Sequence, residues 1–193
     1  MVLGDSAVCN NAEVFDYAIV DMNARILDEA KVCGRAIVYR NATVSVMAKV
    51  YGYARVKDEA AVTDKAIVTG QTCVYGNARV GGTAKVYDKA TVGGEAYIFE
   101  NAEIVRIANI KGVTQIGGNA VIRHTTDYLT IQGIVKDGIT FHKSDDEIKI
   151  YSKYYCGSLE SFKKQAFDIP QDNIVKELLL LIELAEYHFE NQN

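Results

Sequence analysis

Residues 48–68 read AKVYGYARVKDEAAVTDKAIV, and this stretch repeats one short pattern every six residues. A small residue comes first, an aliphatic residue follows two positions later, and glycine or aspartate often comes two positions after that. The same phase holds from Ala12 to Ile122 without an insertion, and the small residue is alanine except at Thr72 and Thr114. Self-similarity at a fixed short period is typical of repeat architectures. The sequence therefore predicts a solenoid over this part of the chain.

Each six-residue unit has the composition of one short strand and one turn. The small and the aliphatic residue alternate with their neighbours, which directs the two to one side of a strand and the neighbours to the other. The fifth position is glycine or aspartate in thirteen of the eighteen units from Asp16 to Gly118, and these residues tolerate the left-handed backbone of a tight corner. Short strands of this kind cannot bury a face alone, so successive turns of the chain have to stack valine on valine.

The pattern resembles the hexapeptide-repeat family over about residues 6 to 122. The resemblance implies a left-handed parallel β-helix with three hexads in each triangular coil, which gives about 6.5 coils. The fold class we expect is therefore mainly β, with a β-helix over residues 1–122 and a small α+β capping domain over residues 123–193. Proteins with this solenoid commonly pack as trimers along their prism faces, so the resemblance also implies a homo-oligomer.

Outward residues that are 18 positions apart stack in ladders, because three hexads make one coil. One predicted face combines aromatic and basic residues, and we name it the aromatic–basic face. Its candidate binding residues are Phe15, Tyr17, Lys49, Tyr51, Tyr53, Lys85 and Tyr87. Tyrosine and arginine are favoured at interfaces, so this face suits a neighbouring subunit, a protein partner or a polyanion. Aromatic, β-branched and lysine residues also suit any exposed strand, and the sequence leaves that plainer interpretation open.

Charge and cysteine content narrow the class of protein. Residues 1–122 hold 13 Lys+Arg and 13 Asp+Glu, whereas residues 123–193 hold 8 and 12. A neutral solenoid disfavours general nucleic-acid binding, and the acidic excess lies in the C-terminal segment. The four cysteines show no metal-binding spacing, and no motif predicts a metal or a cofactor. No signal peptide or membrane-length apolar run is visible, so we expect a cytoplasmic protein with free thiols and no membrane association.

Catalysis depends on the histidines. Many hexapeptide-repeat proteins are acyl- or acetyltransferases, and that chemistry needs a general base, generally a histidine. All three histidines here, His124, His142 and His188, follow the last hexad, and no inserted loop interrupts the repeat. His124 is the one catalytic candidate, and we interpret His188 as a packing residue on an amphipathic helix. The carbonic anhydrase branch of the family needs three histidines on the coils, which carry none.

The hexad pattern disappears after Ile122. The elements that the sequence predicts there are strands over 128–134, 138–142 and 147–151 and helices over about 159–167 and 172–190. Ser158 is the expected N-cap of the first helix, and Pro170 separates the two. The second helix carries a broad apolar stripe. We expect it to pack on the small sheet and cap the solenoid, and pairing with another subunit or a partner protein is the alternative.

Three hypotheses about function remain open. The first is a non-catalytic β-helix module that mediates oligomerisation or binds a protein partner. The second rests on residues 155–162 and 180–188, which resemble the tail of bacterial and prophage-encoded hexapeptide-repeat proteins. It is a phage-type inhibitor that occludes a host nuclease or defence complex through acidic residues such as Asp145 and Asp146. The third is a hexapeptide acyltransferase that uses His124 and acyl-CoA.

Overall fold

The computed structural model describes residues 1–133, 138–152, 155–167 and 173–190. The chain divides into two compact units, Met1–Thr125 and Thr126–Asn193. The first unit is built from short parallel strands, and the second combines an antiparallel sheet with two helices. The turn expected around Lys136 and the predicted helix start at Asp172 lie outside the described residues. Within the described residues, neither helix is long and apolar enough to cross a membrane.

Met1–Thr125 is a parallel β-solenoid, as the six-residue period predicts. Its twenty strands of two residues each form three sheets of seven, seven and six strands. The sheet of the aromatic–basic face contains β2 (Glu13–Val14), β5 (Lys31–Val32), β8 (Lys49–Val50), β11 (Ile67–Val68), β14 (Lys85–Val86), β17 (Glu103–Ile104) and β20 (Val121–Ile122). The second face contains β3 (Ile19–Val20), β6 (Ile37–Val38), β9 (Arg55–Val56), β12 (Cys73–Val74), β15 (Thr91–Val92) and β18 (Asn109–Ile110). The third face contains β1 (Ala7–Val8), β4 (Arg25–Ile26), β7 (Thr43–Val44), β10 (Ala61–Val62), β13 (Arg79–Val80), β16 (Tyr97–Ile98) and β19 (Gln115–Ile116).

The solenoid core is a stack of equivalent residues from successive coils. Val50 pairs in register with Val32 on one side and with Val68 on the other. From Ala18 to Ile122, every inward alanine, threonine, valine and isoleucine is at most 1% exposed. The neighbouring outward residues are exposed or half-buried except Gly81, Gly93, Val105 and Gly117, so the predicted alternation is confirmed apart from these four positions.

The residue at the fifth position of each six-residue unit forms a corner and adopts the left-handed backbone conformation. All eighteen of these residues between Asp16 and Gly118 have a positive φ, including the five that are neither glycine nor aspartate. Val46 is one of the five, with φ 63°, which is a strained value for a β-branched residue. At Gly52, a Cβ atom would lie 2.9 Å from the backbone nitrogen of Gly70 in the next coil. The conformation therefore follows from the position in the repeat, whichever residue occupies it.

Aspartates at the corners also tie one coil to the next. The Gly82 N–H donates to Oδ2 of Asp64 at 2.8 Å, and the Gly76 N–H donates to Oδ2 of Asp58 at 3.2 Å. Asp58 also forms an ion pair with Arg40. Burial acts to raise the pKa of Asp58, but the Gly76 N–H and the Arg40 guanidinium outweigh it and lower this pKa. Each such carboxylate satisfies a backbone donor of the following coil, which explains why aspartate shares the position with glycine.

Thr126–Asn193 has a core without repeats. Its elements are a 3₁₀ turn at Thr125–Asp127, β21 (Tyr128–Ile131), β22 (Ile139–Ser144), β23 (Glu147–Tyr151), β24 (Cys156–Ser158), α1 (Leu159–Phe167) and α2 (Asn173–Glu190). The four strands form one antiparallel sheet in chain order. The core that the sheet shares with the helices contains Ile139, Phe141, Ile150, Leu159, Leu181, Ile182, Ala185 and Phe189. The predicted packing of the second helix on the small sheet is therefore observed.

Most of the predicted C-terminal elements are present. The Ser161 N–H donates to Oγ of Ser158 at 3.2 Å, so the expected N-cap of α1 is confirmed. The strand predicted over 138–142 extends to Ser144, and the sequence does not predict β24. Three residues that include Gly157 give no alternation of polar and apolar side chains, so such a short edge strand leaves no signal.

Candidate interaction surface

The aromatic–basic face has the ladder that the 18-residue spacing predicts. Strand register places Lys49 beside Lys31 on one side and beside Ile67 on the other. Lys49 makes no side-chain hydrogen bond or ion pair with any residue that the structure describes. Lys31, by contrast, pairs with Glu13 at 3.0 Å. Lys49 is therefore a cation of this face that has no ionic partner among the described residues.

Aromatic side chains around Lys49 are open to solvent. The exposed fractions are 44% for Phe15, 77% for Tyr17, 37% for Tyr51 and 56% for Tyr53. These rings project from strands and corners whose backbone is fixed by hydrogen bonds to the neighbouring coils. They form an exposed apolar surface on a rigid support.

Tyr17, Arg35 and Tyr53 form one stack along the edge between the aromatic–basic face and the second face. The Arg35 guanidinium carbon lies 5.8 Å from the Tyr17 ring centre and 5.6 Å from the Tyr53 ring centre. The guanidinium also lies 3.5 Å from the Tyr53 hydroxyl, at the long limit for a hydrogen bond. A cation between two ring faces stabilises both rings, so the stack presents two tyrosines and one positive charge in a defined geometry.

Further along the same face, the other two predicted binding residues bond to a common carboxylate. Lys85 donates to Glu103 at 2.8 Å, and the Tyr87 hydroxyl donates to the same carboxylate at 2.9 Å. The bond from Lys85, supported by that from Tyr87, lowers the pKa of Glu103. Burial, and then the bond to Glu103, raises the pKa of Tyr87. The predicted binding set is therefore divided: Lys85 and Tyr87 have internal partners, whereas the residues around Lys49 face solvent.

A cleft of about 500 Å³ lies where the aromatic–basic face meets its neighbouring corner. Met47 and Ile67 give it an apolar floor, and Met47 is 41% exposed. The residues that line the rest of the cleft are Asn11, Glu13, Glu29, Lys31, Lys49 and Lys65. We name it the Lys49 cleft. It combines apolar surface with lysine ammonium groups, which suits an apolar ligand surface bordered by carboxylates.

The three histidines have separate environments. His124 is exposed and lies two residues after the end of the last solenoid strand. His142 is fully buried on β22, where its ring stacks on Tyr151 at 5.1 Å, and burial lowers its pKa to about 4. His188 Nε2 lies 2.8 Å from the Thr126 carbonyl oxygen, and its ring contacts Phe189 edge-on. The packing role predicted for His188 agrees with this geometry.

Metal-binding residues do not cluster in the part of the chain that the structure describes. No group of three His, Cys, Asp or Glu side chains there is placed to hold a metal ion. All four cysteines are free thiols. Burial raises the pKa of the Cys33 and Cys73 thiols, which makes both poorer nucleophiles at neutral pH.

Comparisons with known proteins add no argument about fold or function. No protein-family profile matches this sequence, and no curated protein matches it. Among solved structures, the chain is similar to a Bacillus cereus protein described as a candidate acetyltransferase, at 11% identity and a TM-score of 0.32. The match covers 99% of this chain and 97% of the Bacillus cereus chain. A likeness this distant carries no argument about fold or activity.

Several residues of this surface lie outside the predicted binding set. Among them are Arg35 in the tyrosine stack and Met47 and Lys65 in the Lys49 cleft. Arg35 was identifiable from its ladder, since it lies 18 positions from both Tyr17 and Tyr53. Met47 and Lys65 form a ladder at a corner, and their contribution becomes evident only when the strand and corner ladders are considered together.

Proposed function

We propose that this protein is a non-catalytic β-solenoid scaffold that binds a protein surface, either a second copy or another protein, through its aromatic–basic face. The observation that carries the proposal is a solvent-exposed group on one sheet and its adjoining corner, which consists of Tyr17, Arg35, Tyr53, Tyr51 and Lys49. Large amphipathic side chains of this kind supply most of the binding energy at protein interfaces.

Rigidity favours binding by this face. An interface loses free energy when it has to order side chains and loops, and a preformed surface avoids most of that loss. Tyrosine has only two side-chain torsions, and the cation–π contacts of Arg35 further restrict Tyr17 and Tyr53. The stack therefore offers a large contact area at a small entropic cost.

The charge of the face favours an acidic partner. Lys49 and Lys65 have no ionic partner among the described residues, and Arg35 contacts tyrosines instead of a carboxylate. Complementary charge increases the association rate and disfavours partners of like charge. We therefore expect binding to weaken as the salt concentration rises, because exposed charges are screened.

We propose a non-catalytic role because the solenoid strands carry no histidine that could act as a general base. Acetyl-CoA should accordingly leave the melting temperature of the protein unchanged, since a ligand that binds the native state raises it. A concentration-dependent rise in melting temperature that His124→Ala abolishes would instead support acyl transfer.

Site-specific photo-crosslinking tests the proposed surface. A photoreactive phenylalanine analogue at Tyr51 should form a protein adduct in cells, whereas the same analogue at Tyr97 should not. Tyr97 is a matched control, because it lies on the third face and its exposed fraction, 42%, is close to the 37% of Tyr51. Adducts at both positions, or at neither, would contradict the assignment of the aromatic–basic face.

A further inference from the structure

Helix α2 carries an apolar stripe on its solvent side. Leu180, Leu184 and Tyr187 recur at the i, i+4, i+7 spacing of one helix face, and their exposed fractions are 64%, 48% and 69%. At 100° per residue they point away from Phe189 and Ala185, which lie in the core of the unit. The outward face of a helix that already buries one stripe is normally polar. A second apolar stripe opposite the first indicates a docking surface.

Acidic residues border this stripe. Glu177 lies on one side of it, Glu183 and Glu190 lie on the other, and all three are exposed. Lys176 is the one cation near the stripe within residues 176–190. If two copies of α2 packed against each other, carboxylates would face carboxylates, and like charges at that distance repel. The stripe therefore matches an apolar surface with a basic rim.

The Lys49 cleft of this same protein is such a surface. Its apolar floor, Met47 and Ile67, lies among the ammonium groups of Lys31, Lys49 and Lys65. Lys31 is already paired with Glu13, and Glu29 offsets one of the other two charges, which leaves a small positive excess.

The dimensions of the stripe and the cleft also agree. Leu180 to Tyr187 extends about 10 Å along the helix axis at 1.5 Å per residue. Three neighbouring rungs of the sheet, such as those of Lys31, Lys49 and Ile67, span about 10 Å at a strand spacing of ~4.8 Å. A helix that lies across the strands can therefore place its three apolar side chains over three successive rungs.

We propose that α2 of one copy docks its Leu180–Leu184–Tyr187 stripe into the Lys49 cleft of a second copy. The three stripe residues and Met47 are exposed, and Ile67 is half-buried, so both surfaces are accessible to a second molecule. Two reciprocal contacts close a dimer, and one repeated contact builds a chain of copies. The inference rests on the proposed function, because the cleft belongs to the aromatic–basic face. It names a second copy of this chain as the partner that binds there.

The oligomeric mass of the full-length chain tests this pairing. Light scattering over a concentration series should show association that weakens with salt. Leu184→Glu and Lys49→Glu should each raise the dissociation constant about tenfold or more, as expected for a central interface residue. Combining Lys49→Glu with Glu183→Lys should restore part of the affinity. Ile107→Glu is the control, since Ile107 is 70% exposed but does not line the cleft.

Each other outcome overturns the inference. A wild-type chain that stays monomeric over the whole series rules out the second copy, while an adduct at Tyr51 would still support the proposed function with a foreign partner. Loss of association in Leu184→Glu but not in Lys49→Glu would indicate pairing of the α2 helices with each other. Unchanged association in Leu184→Glu would remove α2 from the contact. Circular dichroism of each variant checks that the fold is intact.

Discussion

The two units of this chain build their cores in different ways. In Met1–Thr125 every inward residue stacks on equivalent residues 18 positions away, so one pattern is used about twenty times. In Thr126–Asn193 the core joins residues as distant in sequence as Ile139 and Phe189, and a histidine outside that cluster, His142, is also fully buried. Because the stacking is uniform, equivalent core positions in different coils of the solenoid have equivalent neighbours. The second core depends on individual residues.

The largest effect should come from a charge in the solenoid stack. Val62 is 0% exposed and pairs with Val44 and Val80 on either side. Val62→Asp places a carboxylate between apolar side chains without a partner, which costs about 5 kcal/mol or more. We expect the solenoid to lose its cooperative thermal transition, measured by circular dichroism. Lys65→Asp, at an exposed corner three residues further along the chain, should have a melting temperature close to that of the wild-type protein. A folded Val62→Asp protein would contradict the inward assignment.

The regularity that makes this prediction possible also made the solenoid predictable from sequence. Each contact in the stack joins residues at one fixed separation, so the strand, its inward residue and its corner can all be identified by counting. Side-chain pairs on the surface follow the same spacing, and Lys31 with Glu13 and Lys85 with Glu103 are both 18 positions apart. The second unit has no such spacing. Contacts such as that of Lys143 with the Phe189 carbonyl join residues 46 positions apart, and no local pattern indicates them.

The second unit should respond to pH through His142. Burial lowers the pKa of His142 to about 4, against about 6.5 in an unfolded chain. Between these values the unfolded state binds a proton that the native state does not, so stability is present above pH 6.5 and is lost as the pH falls toward 4. The difference corresponds to about 3 kcal/mol. Chemical denaturation as a function of pH, followed by hydrogen exchange of β22, measures it.

Substitution at His142 isolates this contribution. His142→Phe keeps an aromatic ring against Tyr151 but cannot bind a proton, so it should remove the destabilisation between pH 6.5 and 4. His124→Gln, at an exposed position of the solenoid unit, should keep the wild-type profile. If the His142→Phe protein loses stability over the same pH range as wild type, another group is responsible.

A corner carboxylate should have a smaller effect, and three substitutions at Asp64 separate its two roles. Asp64 accepts the Gly82 N–H and has φ 61°, so Ala loses the bond and strains the backbone, at a cost of about 2 kcal/mol. Asp64→Asn keeps a hydrogen-bond acceptor and tolerates this φ, so it should leave the free energy of unfolding nearly unchanged. Gly relieves the backbone but loses the bond, and its cost should be about 1 kcal/mol. Urea denaturation ranks the three, and equal stabilities would mean that the carboxylate does not link the coils.

The surface residues of the two units could be predicted from the sequence to different degrees, because only the solenoid has the 18-residue spacing. The aromatic–basic face follows from residue type and the 18-residue ladder, which the structure reproduces. Which of its lysines is paired also follows by counting, because Lys85 has Glu103 one coil further on, whereas Lys49 has Ile67 there. The stripe of Leu180, Leu184 and Tyr187 is visible as a spacing on α2. Only the structure shows that this side of the helix faces solvent.

The smallest effect should be a gain in stability at Val46. This residue has φ 63° because its place in the repeat requires a left-handed corner, although a β-branched side chain opposes that conformation. Val46→Asn removes the conflict and leaves the backbone N–H that donates to Asp28 unchanged, so we expect a gain of about 1 kcal/mol in urea denaturation. The matched substitution Val121→Asn, on an outward strand position, should give no gain. If both variants lose stability equally, then packing of the valine at the corner outweighs backbone strain, and the corners depend on their side chains as individually as the core of the second unit does.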